Sequence, residues 1–230
     1  MDLPTLVSWI GTIIGIILNI SPAVLFWNIY QAKEKYTIVP ESMLIFNILC
    51  PSLWACYWWL QVDKFVPFFS AVAGLGLSEI FSLVYLYYLS GKCLKKYLIF
   101  AFLEINLVLE FNFILLRVIG DYMTVGSIAV VVNIITYIAP GQNIIRVCKE
   151  KNYKLIPIAS TLSGASCALS WLTFGILIKD IRTIIPNTLG LTFAGINSLI
   201  WAYFYCNRDK SKDDEEDEKK EIITPEKEEI

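Results

Sequence analysis

Trp54 and Trp171 are the residues of this 230-residue chain best suited to hold a small ligand. Each stands nine residues before an aspartate, Asp63 and Asp180. An indole ring presents a flat apolar face on which the C–H groups of a ligand can pack. Asn187 adds an amide that both donates and accepts hydrogen bonds. Bond-breaking chemistry is harder to assemble. Histidine is absent, which removes a His-based triad, a His metal site and a His proton switch together. The six cysteines, at 50, 56, 93, 148, 167 and 206, have neither zinc-finger nor redox spacing. Without a nucleophile–base set the chain is expected to be no enzyme, with no catalytic residue, metal or cofactor.

The elements that must position these residues follow from composition. Apolar residues make up 56% of the chain. Asn207–Ile230 alone holds six of the 19 Lys/Arg and eleven of the 21 Asp/Glu, so charge in the rest falls to about one residue in nine. A soluble domain carries nearer one in four. Such a body cannot cover a water-facing surface, and the expected class is an all-α integral membrane protein. Seven apolar runs are long enough to span a bilayer: roughly Thr5–Tyr30, Pro40–Gln61, Phe65–Leu89, Tyr97–Ile119, Met123–Val147, Pro157–Ile178 and Thr183–Cys206. The first lacks a basic flank and reads as a retained span, not a cleaved leader. Lys33, Lys35, Lys92, Lys95, Lys96, Lys149, Lys151 and Lys154 fall on one side, and Lys64, Lys179 and Arg182 on the other. This excess predicts an N-terminus outside and a tail in the cytosol. The acidic tail, without aromatics, is expected to be disordered.

The chain repeats itself at an offset of 117 residues. Pro40 then meets Pro157, Trp54 meets Trp171, and Asp63 meets Asp180, and with a slip of one residue Lys33-Glu34-Lys35 meets Lys149-Glu150-Lys151. Gly74 pairs with Gly190, and Ser21-Pro22 with Ala139-Pro140. Helices 1–3 therefore recur as helices 5–7, and the fourth run is the spare crossing that restores the orientation. The expected domains are a first bundle over 5–89, a linker helix over 97–119, a second bundle over 123–206 and a tail over 207–230. Counted from the helix ends, Trp54, Trp171, position 71 and Asn187 sit at similar depth at 1.5 Å per residue. Pro22, Pro40, Pro140 and Pro157 would all weaken helices toward the opposite end. Glu79, Glu104, Glu110 and Arg117 lie inside apolar runs, with Asn106 on the same face as Glu110. They read as a polar seam docking helix 4 or as a proton path.

These residues and their order resemble the SWEET sugar transporters, of the superfamily that includes bacterial semi-SWEETs and PQ-loop carriers. The resemblance covers residues 5 to about 206. Its most specific stretch is Trp171-Leu172-Thr173-Phe174-Gly175, then Lys179-Asp180, then Pro186-Asn187-Thr188-Leu189-Gly190. Tyr137-Ile138-Ala139-Pro140 and Ser21-Pro22 match its helix 5 and helix 1 elements. The resemblance implies a 3+1+3 arrangement of seven membrane helices and bidirectional, facilitative transport of a small sugar without ion or cofactor. A monosaccharide is favoured by the bulk of two indoles. It implies a sugar site at Trp54, Trp171 and Asn187, with Ser70 and Ala71 opposite Asn187. It further implies a hinge of Pro22, Pro40, Pro140 and Pro157, and an outer gate in which Asp180 meets Tyr57 or Lys64, with Asp63 nearby. Asn197 would line an inner vestibule. The family pattern has Asn where this chain has Ala71. Expected partners are a sugar and the lipid bilayer, with no nucleic acid. Family members are often homo-oligomeric, and no motif here shows it. The membrane, plasma or internal, is left open. A PQ-loop amino-acid carrier and a seven-helix receptor are the alternatives. Pro22-Ala23 and Pro140-Gly141 lack the Pro-Gln signature of the first, and the repeat argues against the second.

Overall fold

The structure, a computed structural model, describes residues 1–32, 41–61, 63–89, 93–136, 138–156 and 158–207. The helices run in chain order as α1 (Leu3–Ala32), α2 (Glu41–Trp59), α3 (Phe65–Leu89), α4 (Leu94–Ile114), α5 (Tyr122–Thr136), α6 (Ile138–Glu150), α7 (Ile158–Ile178) and α8 (Ile181–Cys206). No strand occurs among the described residues. The expected fifth run is covered by α5 and α6 on either side of residue 137, which lies outside the described residues. So do Pro40, Pro157 and the tail from residue 208 onward. Among the described residues, five stretches are long and apolar enough to cross a membrane: Leu3–Ile20, Phe65–Tyr87, Leu94–Ile119, Ile158–Ile178 and Ile181–Cys206. The second half of α2 is packed inside the protein, with Ser52, Leu53 and Ala55–Trp58 all buried.

The repeat is visible as packing. α1 and α2 each lie against α3, as α5 and α7 each lie against α8. The halves then meet through two crossings of the same kind, α1 on α7 and α2 on α5. This is the 3+1+3 arrangement, two three-helix bundles facing each other. Even the caps recur. Asp121 accepts hydrogen bonds from the N–H groups of Met123 and Thr124 and from the Thr124 hydroxyl, at 3.2, 2.8 and 2.6 Å. Asp2 stands in the same way before Thr5 at the start of α1. The Thr124 hydroxyl holds the Asp121 carboxyl below the usual carboxylate range, and the Thr5 hydroxyl does so for Asp2.

The loops correct the sequence register by one residue. The turn after α2 passes through the left-handed region at Asp63 (φ 75°), and the turn after α7 does so at Lys179 (φ 56°). α3 starts at Phe65 and α8 at Ile181. Asp63 therefore corresponds to Lys179, and Lys64 to Asp180. From here on the offset is 116, which also pairs Ala71 with Asn187.

α4 belongs to the first bundle, packing on α2 and α3. Asn112 provides one attachment. Its Oδ1 accepts from Cys56 Sγ at 3.0 Å, and its Nδ2 donates to Ser52 Oγ at 3.4 Å and to the Val108 carbonyl at 2.8 Å. Ser82 Oγ, on α3, donates to Glu104 Oε1 to make another. The polar seam is thus built by Glu104 and Asn112, whereas Glu110 and Arg117 are exposed and Asn106 bonds the Phe102 carbonyl of its own helix. The helix continues as a π turn over Leu115–Ile119 and stops at Gly120, in the left-handed region at φ 59° with its N–H on the Leu115 carbonyl.

Candidate functional site

A cavity of about 420 Å³ opens between the bundles. Three helices of each half line it: α1, α2 and α3, and α5, α7 and α8. Trp54, Trp171, Ser70, Ala71 and Asn187 all face it. Each indole has a local support. Trp54 stacks on Trp58 at 6.2 Å between centroids and meets Tyr57 edge-on at 5.5 Å. Trp171 meets Phe174 edge-on at 5.7 Å. It also presses its ring against Gly11, where a Cβ would lie 3.1 Å from Cε2. One turn before each tryptophan stands a cysteine, Cys50 beside Trp54 and Cys167 beside Trp171. Asn187 donates from Nδ2 to the Thr183 carbonyl at 2.7 Å. An amide has two donor hydrogens and two acceptor sites, so one N–H and the carbonyl oxygen are left for a ligand.

Polar residues that the motif spacing does not single out also reach this cavity. Asn19 comes from α1, Asn133 and Thr136 from α5, and Ser78 from α3. Each is a polar side chain inside an apolar run, and that was the signal for a protein-facing or cavity-facing position. Asn197 behaves differently. It is buried, donates to the Phe193 carbonyl at 2.9 Å, and does not line the cavity.

Toward the end that carries residues 63 and 180 the cavity is closed by packed side chains. Leu53, Tyr57, Trp58, Val125, Ala129 and Phe174 form a buried cluster there. Tyr57 is the keystone at 1% exposure. Its hydroxyl lies beside the side chains of Asp180 and Gln61, and its ring fills the notch left by Gly126 on α5. A Cβ at Gly126 would stand 2.6 Å from Tyr57 Cε2 and 2.5 Å from Arg182 Cδ. Asp180 caps α8, accepting from the Arg182 N–H at 3.2 Å and the Thr183 hydroxyl at 2.6 Å. Arg182 is half-buried, and its Nε donates to the Met123 carbonyl at 3.2 Å, tying α8 to α5. Asp63 is exposed, one residue away from the position equivalent to Asp180. Pro22 falls inside α1 and Pro140 in the first turn of α6.

Two matching bundles around a central cavity, with a packed seal at one end, define the architecture of a membrane carrier. Comparison with known proteins gives the particular family. The profile described as "Sugar efflux transporter for intercellular exchange" matches residues 123–210. The chain is 31% identical over 211 residues to the bidirectional sugar transporter SWEET8 of Arabidopsis thaliana, covering 87% of each protein. It is 25% identical over 232 residues to the bidirectional sugar transporter NEC1 of Petunia hybrida, covering 99% of this chain and 86% of that one. Its fold superposes on the 3.7 Å structure of a eukaryotic SWEET transporter with a TM-score of 0.76 at 19% identity, covering 88% of this chain and 97% of that one. The chain belongs to the SWEET family.

Proposed function

We propose that this chain is a facilitative carrier that moves a monosaccharide in either direction across a membrane by rocking its two bundles. The observation that carries this reading is the convergence of Trp54, Trp171 and Asn187 on one cavity. The indoles would hold the C–H faces of the sugar and the amide its hydroxyls. A volume of about 420 Å³ is toward the small end of ligand sites, roughly 300–1,000 Å³, and favours one ring over two. The family's names support sugar as the substrate class.

On this reading residues 5–89 and 123–206 are the moving bundles, 97–119 travels with the first, and 207–230 is a tail. The Lys/Arg distribution supports an orientation with the N-terminus and the Tyr57–Asp180 seal outside and the tail in the cytosol. The described arrangement is then the outside-closed one. Opening would part Tyr57 from Asp180, with Pro22, Pro40, Pro140 and Pro157 as its hinge. No ion, cofactor or nucleic acid enters the cycle. A homo-oligomer would be compatible with it, since each chain encloses its own cavity.

The test is uptake of glucose, fructose, galactose and sucrose into proteoliposomes without an ion gradient. Saturable flux of one monosaccharide, lost when Trp171→Ala and Asn187→Ala are combined, is the expected result. Folded protein that passes no sugar would overturn the reading.

A further inference from the structure

The cavity lacks symmetry at one point. α8 presents Asn187, and the equivalent residue of α3 is Ala71, which lines the same space with a methyl group. Gly74 follows three residues after Ala71 and so lies on the same face of α3, about one turn along. It has no side chain, and the volume beside it is occupied from α1. A Cβ at Gly74 would stand 3.6 Å from Asn19 Nδ2. Asn19 itself lines the cavity.

The two amides are held alike. Asn19 Nδ2 donates to the Gly15 carbonyl one turn back at 2.9 Å, as Asn187 Nδ2 does to Thr183 at 2.7 Å. In each case one N–H is fixed on the helix, with a second N–H and the carbonyl oxygen unused by that bond. We infer that Asn19 is the first-half substrate amide, taking over from α1 the hydroxyl recognition that α3 cannot supply through Ala71. It is a specificity-determining residue, and the inference rests on the sugar-carrier reading. Because α1 also packs on α7 of the other half, an amide on α1 sits closer to that crossing than one on α3 would. The sugar is then read by an off-axis pair, and ring orientation at the site is fixed by that offset.

The experiment measures uptake kinetics and ligand-induced thermal stabilisation for wild type, Asn19→Ala, Asn187→Ala and the double variant Asn19→Ala with Ala71→Asn. Melting without ligand reports folding of each, and Asn19→Ser serves where the alanine variant melts low. Loss of a hydroxyl-reading amide is expected to raise KM about tenfold in both single variants. Placing an amide back at position 71 is expected to recover most of the loss from Asn19→Ala. If Asn187→Ala raises KM and Asn19→Ala stays within about twofold of wild type, the inference is overturned and the carrier reading stands. If the wild-type protein neither transports nor is stabilised by any sugar, the reading falls and the inference with it.

Discussion

The first bundle and the second share a plan and diverge in how each uses its polar residues. In the second, α8 is capped by Asp180, anchored to α5 through Arg182, and delivers Asn187 to the cavity. In the first, Lys64 holds the cap position of α3, and Ala71 faces the cavity. The first bundle instead carries α4. Ser82, on α3, donates to Glu104 of that helix. Its counterpart on α8, Ser198, turns back to the Ala194 carbonyl of its own helix at 2.8 Å. Duplication supplies two copies of each position, and only one copy of a given position needs to keep its original work. The other is free to serve packing that its twin never meets.

Four experiments sharpen or break this comparison. The largest effect is expected in transport. Trp171→Ala with Asn187→Ala should reduce uptake about 100-fold, to background, while Ala71→Gly in the other half changes it less than about twofold. Equal losses from both would mean that position 71 still contributes to recognition. Next come the two crossings between the halves. Gly126→Ala drives a methyl into Tyr57 and Arg182 and should destabilise the protein by about 2 kcal/mol. At Gly11 the nearest atoms stand at 3.1 Å or more, so Gly11→Ala should lower the thermal midpoint less. A reversed order would show that the α1–α7 crossing is the stiffer one.

The attachment of α4 comes third. Ser82→Ala removes the hydroxyl donor to Glu104 and should cost about 1 kcal/mol. Ser198→Ala removes a bond within one helix and should be close to neutral in the same melting assay. The smallest effect belongs to the caps. The carboxyl pKa values of Asp2 and Asp121 are depressed in the fold, so their stabilisation is present above the ordinary carboxylate range. It is lost as pH falls through the depressed values. Asp121→Asn and Asp2→Asn should therefore lower the melting point slightly at neutral pH, and the gap to wild type should close below about pH 4. A gap that persists in acid would mean that the side-chain charge is not what the caps use.

The helices were legible in the sequence because bilayer thickness imposes a length that apolar runs either meet or miss. The repeat was legible because Pro, Trp and Gly recur at a near-constant offset. Which side of each helix faces the interior was harder to see. In lipid both sides are apolar, and the contrast that marks a buried face in water fades. The sequence did mark some inward positions, through single polar residues such as Asn19, Asn112 and Asn133. Their partners were not readable, since Asn112 meets Ser52 and Cys56 across some sixty positions of chain. The slip that sets Asp63 against Lys179 was hidden as well. Two aspartates nine residues after two tryptophans look equivalent until the left-handed residue of each turn is located. The recurring Asp-x-x-Thr at residues 2–5 and 121–124 was present in the letters, and its capping geometry gives it meaning.

The stop at Gly120 has a consequence for how the molecule could be made. Before it, α1 and α2 pack on α3, and α4 packs on α2 and α3; the next residue opens the second bundle with its own cap. A chain interrupted between Gly120 and Asp121 yields two fragments that meet mainly through the α1–α7 and α2–α5 crossings, with the π turn against α5 and Tyr57 beside Asp180. Such fragments, made from separate messages, should reunite in one membrane, and the yield of working carrier would then follow the abundance of the scarcer fragment.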